Sequence, residues 1–159
     1  MITRNPWPDL AGRLVEGGHV LPVRVYFEDT DFTGFVYHAS YLRFMERGRS
    51  DFIRCLGVSH NELDQGMHGE RIAFAVRHMA VDFLRPARID DVLEVHTRPQ
   101  PSKGVRLFVN QSIRRGNEVL VDAKLTIVAV TPNGQARRLP DSLRARLGAI
   151  DLAAEGPDE

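Results

Sequence analysis

Apolar positions along this chain follow two periods, and the switch between them marks its elements. Val20 to Phe27 is apolar and β-branched, which predicts a strand. From Tyr41 onward the residues Tyr41, Met45, Phe52 and Leu56 recur at helical spacing, predicting a long helix over 40–56 that ends at Gly57. A second short helix is expected over 59–65, before Gly66. The remainder reads as strands. Residues 72–83 run apolar until Arg85-Pro86, and residues 92–98 form the next strand, expected to stop at Pro99 because proline offers no ladder donor. Residues 104–114 alternate, with Val105, Leu107, Val109 and Ile113 on one face and Arg106, Asn110, Ser112 and Arg114 on the other. Arg115-Gly116-Asn117 is a tight turn. The strand after it, 119–130, is apolar on both faces in its later half, which places it in the middle of a sheet. One helix followed by antiparallel strands is an α+β pattern, an antiparallel sheet wrapped around a long central helix.

The junction between the first strand and the long helix concentrates chemistry. Tyr26-Phe27-Glu28-Asp29-Thr30-Asp31-Phe32-Thr33-Gly34-Phe35-Val36-Tyr37-His38-Ala39-Ser40-Tyr41 sets carboxylates, a glycine and a histidine at a helix entrance. Unpaired N–H groups and the positive end of the helix dipole can hold a developing oxyanion there, beside a carboxylate that supplies or activates the nucleophile. Asp31 lies nearest Gly34 and the helix, and is the candidate nucleophile or general base, although an aspartate in this place also serves as a helix cap. Gly34 would let substrate approach the backbone, or serve a turn at positive φ. Asp29, two residues away, would share a face with Asp31 in an extended chain and would hold the turn by hydrogen bonds. Tyr37 and Tyr41 would line or pack the cleft, and Glu46 would face solvent or a subunit interface.

These residues resemble the hotdog-fold thioesterases of the 4-hydroxybenzoyl-CoA family, in particular the branch associated with the Tol-Pal cell-envelope system. The resemblance runs through Glu28-Asp29-Thr30-Asp31, Gly34, Val36-Tyr37-His38-Ala39-Ser40-Tyr41, Phe44-Met45-Glu46-Arg47, Phe83-Leu84-Arg85-Pro86-Ala87 and Asp90-Asp91-Val92-Leu93, over about residues 20–145. Phe35 departs from the smaller Ile or Val usual in the wider family, which bears on acyl pocket shape. The resemblance implies hydrolysis of an acyl-CoA to a free acid and coenzyme A, with Asp31 catalytic and the His38 backbone N–H, with its side chain nearby, on the thioester carbonyl. It implies sites completed by a partner subunit in a homodimer or homotetramer, with Arg77 and His78 on the 72–83 strand as contacts. It further implies acyl carrier protein as an alternative carrier, and a cytoplasmic role in envelope lipid metabolism at the periphery of the inner membrane.

Composition narrows the rest. At 159 residues the chain fits one domain, expected over 19–147, with a lead segment at 1–18 and a disordered tail at 148–159 rich in Ala, Gly, Asp and Glu. Lys+Arg and Asp+Glu both number 21, so no bulk positive field marks a nucleic-acid partner. Coenzyme A phosphates need only local cations, for which Lys103, Arg106, Arg85, Arg114 and Arg115 are candidates. The single Cys55 permits no internal disulfide and reads as a core thiol. No signal-peptide pattern and no membrane-spanning run is visible. The remaining histidines, His19, His60, His68 and His96, show no ligand spacing, so neither a metal nor a separate cofactor is expected. No Gly-x-Ser-x-Gly elbow or phosphate loop is present. Two rivals follow from the same pattern: a hotdog dehydratase, disfavoured by the Asp-Thr-Asp turn, and a non-catalytic acyl-thioester or acyl-carrier-protein binding module.

Overall fold

The structure is a computed structural model that describes residues 9–154. Its strands are β1 (Arg13–Val15), β2 (Gly18–Arg24), β3 (Ala73–Phe83), β4 (Val92–Lys103), β5 (Arg106–Arg115), β6 (Glu118–Val130) and β7 (Ala136–Arg137). Its helices are α1 (His38–Cys55), α2 (His60–Asp64) and α3 (Asp141–Ala154). The strands form one antiparallel sheet in the order β1-β2-β4-β5-β6-β3, with β7 on the end of β6. The α+β expectation holds; β6 lies inside the sheet with Leu125, Ile127, Val128 and Ala129 all buried, but it is next to the edge strand β3 and not at the middle.

The sheet curves around α1 because one face of that helix is apolar. Tyr41, Phe44 and Met45 are buried against Val25, Leu93, Val95, Ile113, Leu120 and Val121, and Phe52 is buried beside the His19 ring. Each large side chain so buried contributes roughly 1.5–3 kcal/mol. At Gly48 the helix lies so near the sheet that a Cβ would sit 2.7 Å from Val95 Cγ1. The helix stops at Gly57, whose φ of +86° suits glycine, and Arg146 Nη1 donates to the freed Leu56 carbonyl at 2.7 Å. Ser59 and Glu62 form a reciprocal capping box that starts α2.

Three further expectations are corrected. Strand β4 runs through Pro99 to Lys103, because β2 pairs with it only as far as Thr97; beyond that point no strand among the described residues flanks its outer side, so the missing N–H breaks no ladder bond there. Residues 148–154 continue α3 instead of fraying, since Leu139, Leu143 and Leu147 pack with Val58, Leu63, Ile72 and Phe74 in a second core; residues 155–159 lie outside the described residues. The lead segment 1–18 contributes β1, which pairs with β2, while residues 1–8 also lie outside the described residues. Among the described residues, no helix is long and apolar enough to cross a membrane.

Candidate active site

The backbone between β2 and α1 is a knot of short-range hydrogen bonds. A single 3-10 turn, Phe27–Asp29, follows Tyr26, and Asp29 Oδ2 accepts from the Tyr26 N–H at 2.8 Å. Asp29 is therefore buried, at 7% exposure, and its carbonyl accepts from the Tyr37 N–H at 2.9 Å. The turn overturns the extended geometry expected here: Asp29 and Asp31 do not share a face. Asp29 holds the loop, and its carboxylate is spent on the backbone instead of facing substrate.

Between those anchors the chain makes a tight reversal. Gly34 N–H donates to the Asp31 carbonyl and Asp31 N–H to the Phe35 carbonyl, both at 3.0 Å. Gly34 has φ of +83°, and a Cβ there would meet nothing within 4 Å, so the residue is needed for backbone conformation and not for close packing. The reversal leaves Asp31 exposed, with Oδ1 accepting from the Thr33 hydroxyl and from the Thr33 N–H at 2.8 Å. The Thr33 hydroxyl first, and its N–H second, hold the Asp31 carboxyl below the usual carboxylate range. Oδ2 makes no hydrogen bond among the described residues, which leaves one oxygen for chemistry.

His38 opens α1 beside this turn. The Tyr37 and Ser40 N–H groups are occupied by the Asp29 and Tyr37 carbonyls, whereas among the described residues no acceptor meets the His38 N–H. The His38 ring lies 4.5 Å from Tyr37 and 6.0 Å from Phe83, centroid to centroid, and Tyr37 is 46% exposed. Asp31, Gly34, Tyr37 and His38 thus share one surface, rimmed by exposed Phe27, Phe32, Phe83 and Leu84. Tyr41 does not join them. It is 3% exposed, with its hydroxyl accepting from the Ala87 N–H at 2.9 Å, so it supports the site from below and offers no surface to substrate.

The candidate cations lie elsewhere. Arg77 and His78 sit at a bulge of β3, about 17 Å of strand from Phe83. Lys103 and Arg106 are at the tip of the β4–β5 hairpin, paired with one another and far from Asp31 within this chain. Arg85 pairs with Glu118, and Arg115 with Asp91 and Glu118. Glu46 accepts from the Ser50 hydroxyl.

The fold also joins residues whose spacing carried no signal. His19 is fully buried, with Nε2 2.8 Å from Asp51 Oδ2, and Cys55 Sγ lies 3.7 Å from the same oxygen. Among the described residues these three bring ligand-type atoms within 4.8 Å of one another. The His19–Asp51 contact closes as an internal hydrogen bond, and Asp51 also binds Arg54. Cys55 is exposed and not in the core, and partial burial first, then Asp51, push its thiol upward. Gln111 is 1% exposed and joins α1 to the sheet by donating to the Met45 carbonyl and Thr97 Oγ1, both at 2.9 Å. Its polar side chain on the apolar face of β5, between Val109 and Ile113, is the sequence signal that could have found it.

Known proteins share the sequence and fold of this domain. The Thioesterase superfamily model matches residues 33–121. The chain is 42% identical over 126 residues to the acyl-CoA thioester hydrolase YbgC of Shigella flexneri, covering 78% of this chain and 91% of that protein. It is 36% identical over 117 residues to the acyl-CoA thioesterase YbgC of Haemophilus influenzae, covering 74% and 84%. The crystal structure of a probable thioesterase from Bartonella henselae superposes with a TM-score of 0.75 at 47% identity, covering 77% of this chain and 99% of that one. By family match, sequence relatives and fold together, the chain belongs to the Thioesterase superfamily.

Proposed function

We propose that this protein hydrolyses acyl-CoA thioesters to a free acid and coenzyme A, with the Asp31 carboxylate at the entrance of α1 as the reacting group. The observation that carries the reading is the pairing of an exposed, ionised carboxylate with an open helix N–H in one turn. The thioester carbonyl oxygen would rest on the His38 N–H, where the helix dipole favours negative charge as the tetrahedral centre forms. Asp31 Oδ2 would either attack the carbonyl carbon, giving a mixed anhydride that water cleaves, or take a proton from water as it attacks. Either course releases the coenzyme A thiolate, and neither draws on a cofactor. Names of relatives support the reaction class: two of them are acyl-CoA thioester hydrolases.

The same reading includes an assembly of at least two chains. Strand β3 is a sheet edge, with Val76 and Phe83 exposed, and an open apolar edge of this length is a pairing surface. A partner there would cover the apolar rim of Asp31 and could bring Arg77 or His78 toward it. Acyl carrier protein as carrier, and a cytoplasmic role at the inner membrane beside the Tol-Pal system, belong to the proposal through family resemblance.

Thiol release from short, long and aromatic acyl-CoAs, native against Asp31→Asn, is the test. Turnover lost in the variant while acyl-CoA still binds supports the reading. Binding without turnover in the native chain would turn it into an acyl-thioester binding module, and turnover that survives the substitution would remove Asp31 from the chemistry.

A further inference from the structure

The far half of α1 borders a cleft of about 800 Å³, within the range of small-molecule sites. Its walls are mainly apolar: Phe52 and Ile53 from α1, Phe74 from β3, Leu107 from β5, and Leu143 and Leu147 from α3. Arg49 lies in this wall, about 16 Å along the helix from His38. Its guanidinium is half-buried, and its one side-chain hydrogen bond among the described residues goes from Nη1 to Gln111 Oε1 at 3.0 Å. Gln111 is neutral and is itself fixed by Met45 and Thr97. The cation is thus pre-positioned, with most of its five N–H donors free.

Some arginines, such as Arg54, Arg115 and Arg137, lie within 4 Å of a carboxylate, and exposed ones such as Arg98 and Arg106 stand in solvent. Arg49 has no carboxylate in that range among the described residues, yet it is partly buried in the wall of an apolar cleft. Glu46, one turn earlier, attracts it only at a distance, because its own carboxylate accepts from Ser50. Asp141 lines the same cleft and pairs with Arg144. Burial lowers the pKa of Arg49, as expected of a guanidinium that loses water without gaining an anion. A half-desolvated, unpaired fork in an apolar wall matches a planar carboxylate on an aliphatic chain.

We propose that this cleft binds an aliphatic carboxylate, its headgroup on the Arg49 guanidinium and its chain between α3 and the sheet. The site goes beyond the reaction at Asp31, which lies at the other end of α1. Two sources share this chemistry: a free fatty acid, and the distal carboxylate of a dicarboxylic acyl thioester. Calorimetric titration of the full chain with decanoate and with decanol is the primary test, on native protein, Asp31→Asn, Arg49→Met and Arg49→Lys. For a free acid, decanoate binds native and Asp31→Asn protein alike and at least about tenfold more tightly than decanol; Arg49→Met loses that preference and Arg49→Lys keeps most of it. For a dicarboxylic thioester, a distal carboxylate instead lowers KM for acyl-CoA relative to the plain chain, again only while residue 49 is cationic. Retention of native melting by Arg49→Lys keeps the result interpretable if Arg49→Met folds poorly. The proposal is overturned if neither measurement shows a preference for carboxylate, or if the preference survives in Arg49→Met.

Discussion

The two ends of α1 are built on opposite principles. At the N-terminal end, most hydrogen bonds that shape the Asp31 turn join residues within about ten positions of each other, with Val36 N–H to the Ala87 carbonyl at 2.9 Å as a long-range anchor, and the reacting side chain stands in solvent. Toward the C-terminal end the bonds span the chain: His19 to Asp51, Arg49 to Gln111, Gln111 to Met45 and Arg146 to Leu56. The first end obtains its geometry mainly from local turn chemistry, tied to the sheet through Ala87, and the second from packing of the whole domain. The reacting carboxylate and the buried long-range bonds should therefore separate along one helix, so that loss of Asp31 costs activity and loss of Asp51 costs the fold.

The largest effect expected is on activity, at the first end. Asp31→Asn keeps the shape of the turn and removes the carboxylate, so kcat/KM should fall by about 10²–10⁴, the range of a lost acid–base group. An exposed substitution of this kind changes stability by no more than about 0.5 kcal/mol, so Tm should stay within about 2 °C. Thiol-release kinetics with a thermal melt decide it, and a large loss of Tm would break the separation.

Asp51→Ala is the converse. It strips a buried histidine of its one hydrogen-bond partner among the described residues, where His19 Nδ1 has none. An orphaned buried donor costs about 1–3 kcal/mol, which corresponds to a Tm lower by roughly 3–10 °C at this chain length. kcat/KM should remain within about twofold, and a parallel loss of turnover would show that the two ends are coupled.

This division also explains what could be read from the sequence. The Asp31 turn was legible because its determinants are contiguous: a carboxylate, a glycine able to take positive φ and a histidine at a helix start. The α+β order followed from the change of hydrophobic period. The position of Asp29 was not legible, because one 3-10 turn replaces the extended geometry that alternation assumes. Arg49 and the His19–Asp51 pair were invisible for a different reason: packing of α1 on the sheet brings residues 32 to 62 positions apart into contact, and no local pattern encodes it. Gln111 carried a signal, a polar residue on the apolar face of β5, but its partners Met45 and Thr97 did not. The continuation of α3 was missed because its apolar partners lie in α2 and β3.

Gly34→Ala tests whether the local end depends on backbone alone. The φ of +83° costs an L-residue about 1–2 kcal/mol, although open space surrounds the new methyl. A Tm lower by about 2–8 °C is expected, with Gly34→Asn closer to native because asparagine tolerates the left-handed region. Equal losses for both variants would point to sterics instead.

A pH series separates the ends more gently. His19, His60 and His96 all have pKa values lowered from 6.5, with burial the largest cause in each. Their unfolded forms bind protons first as pH falls, so this stability is complete above about pH 7 and declines as pH drops below 6.5. Chemical denaturation between pH 7.5 and 5 should show that slope, reduced in His96→Gln. Asp31 contributes nothing in this window, because its depressed pKa places any loss at lower pH.

The smallest effect belongs to Thr33. Its hydroxyl and N–H both donate to Asp31 Oδ1, and the hydroxyl is the larger cause of the depressed pKa. Thr33→Val keeps the β-branched shape and the N–H while removing the O–H, so the Asp31 pKa should move up toward 3.8 without reaching it. At neutral pH the carboxylate stays ionised in both proteins, and kcat/KM should change by no more than a few fold, through looser placement of Oδ2. The acid limb of the kcat/KM profile, which reports the free enzyme, should shift upward in the variant while Tm at pH 7 is unchanged. A limb that does not move would mean that another group sets the acid side of the profile. It would also separate the exposed turn from the pH response of activity, leaving its local hydrogen bonds with a purely geometric role.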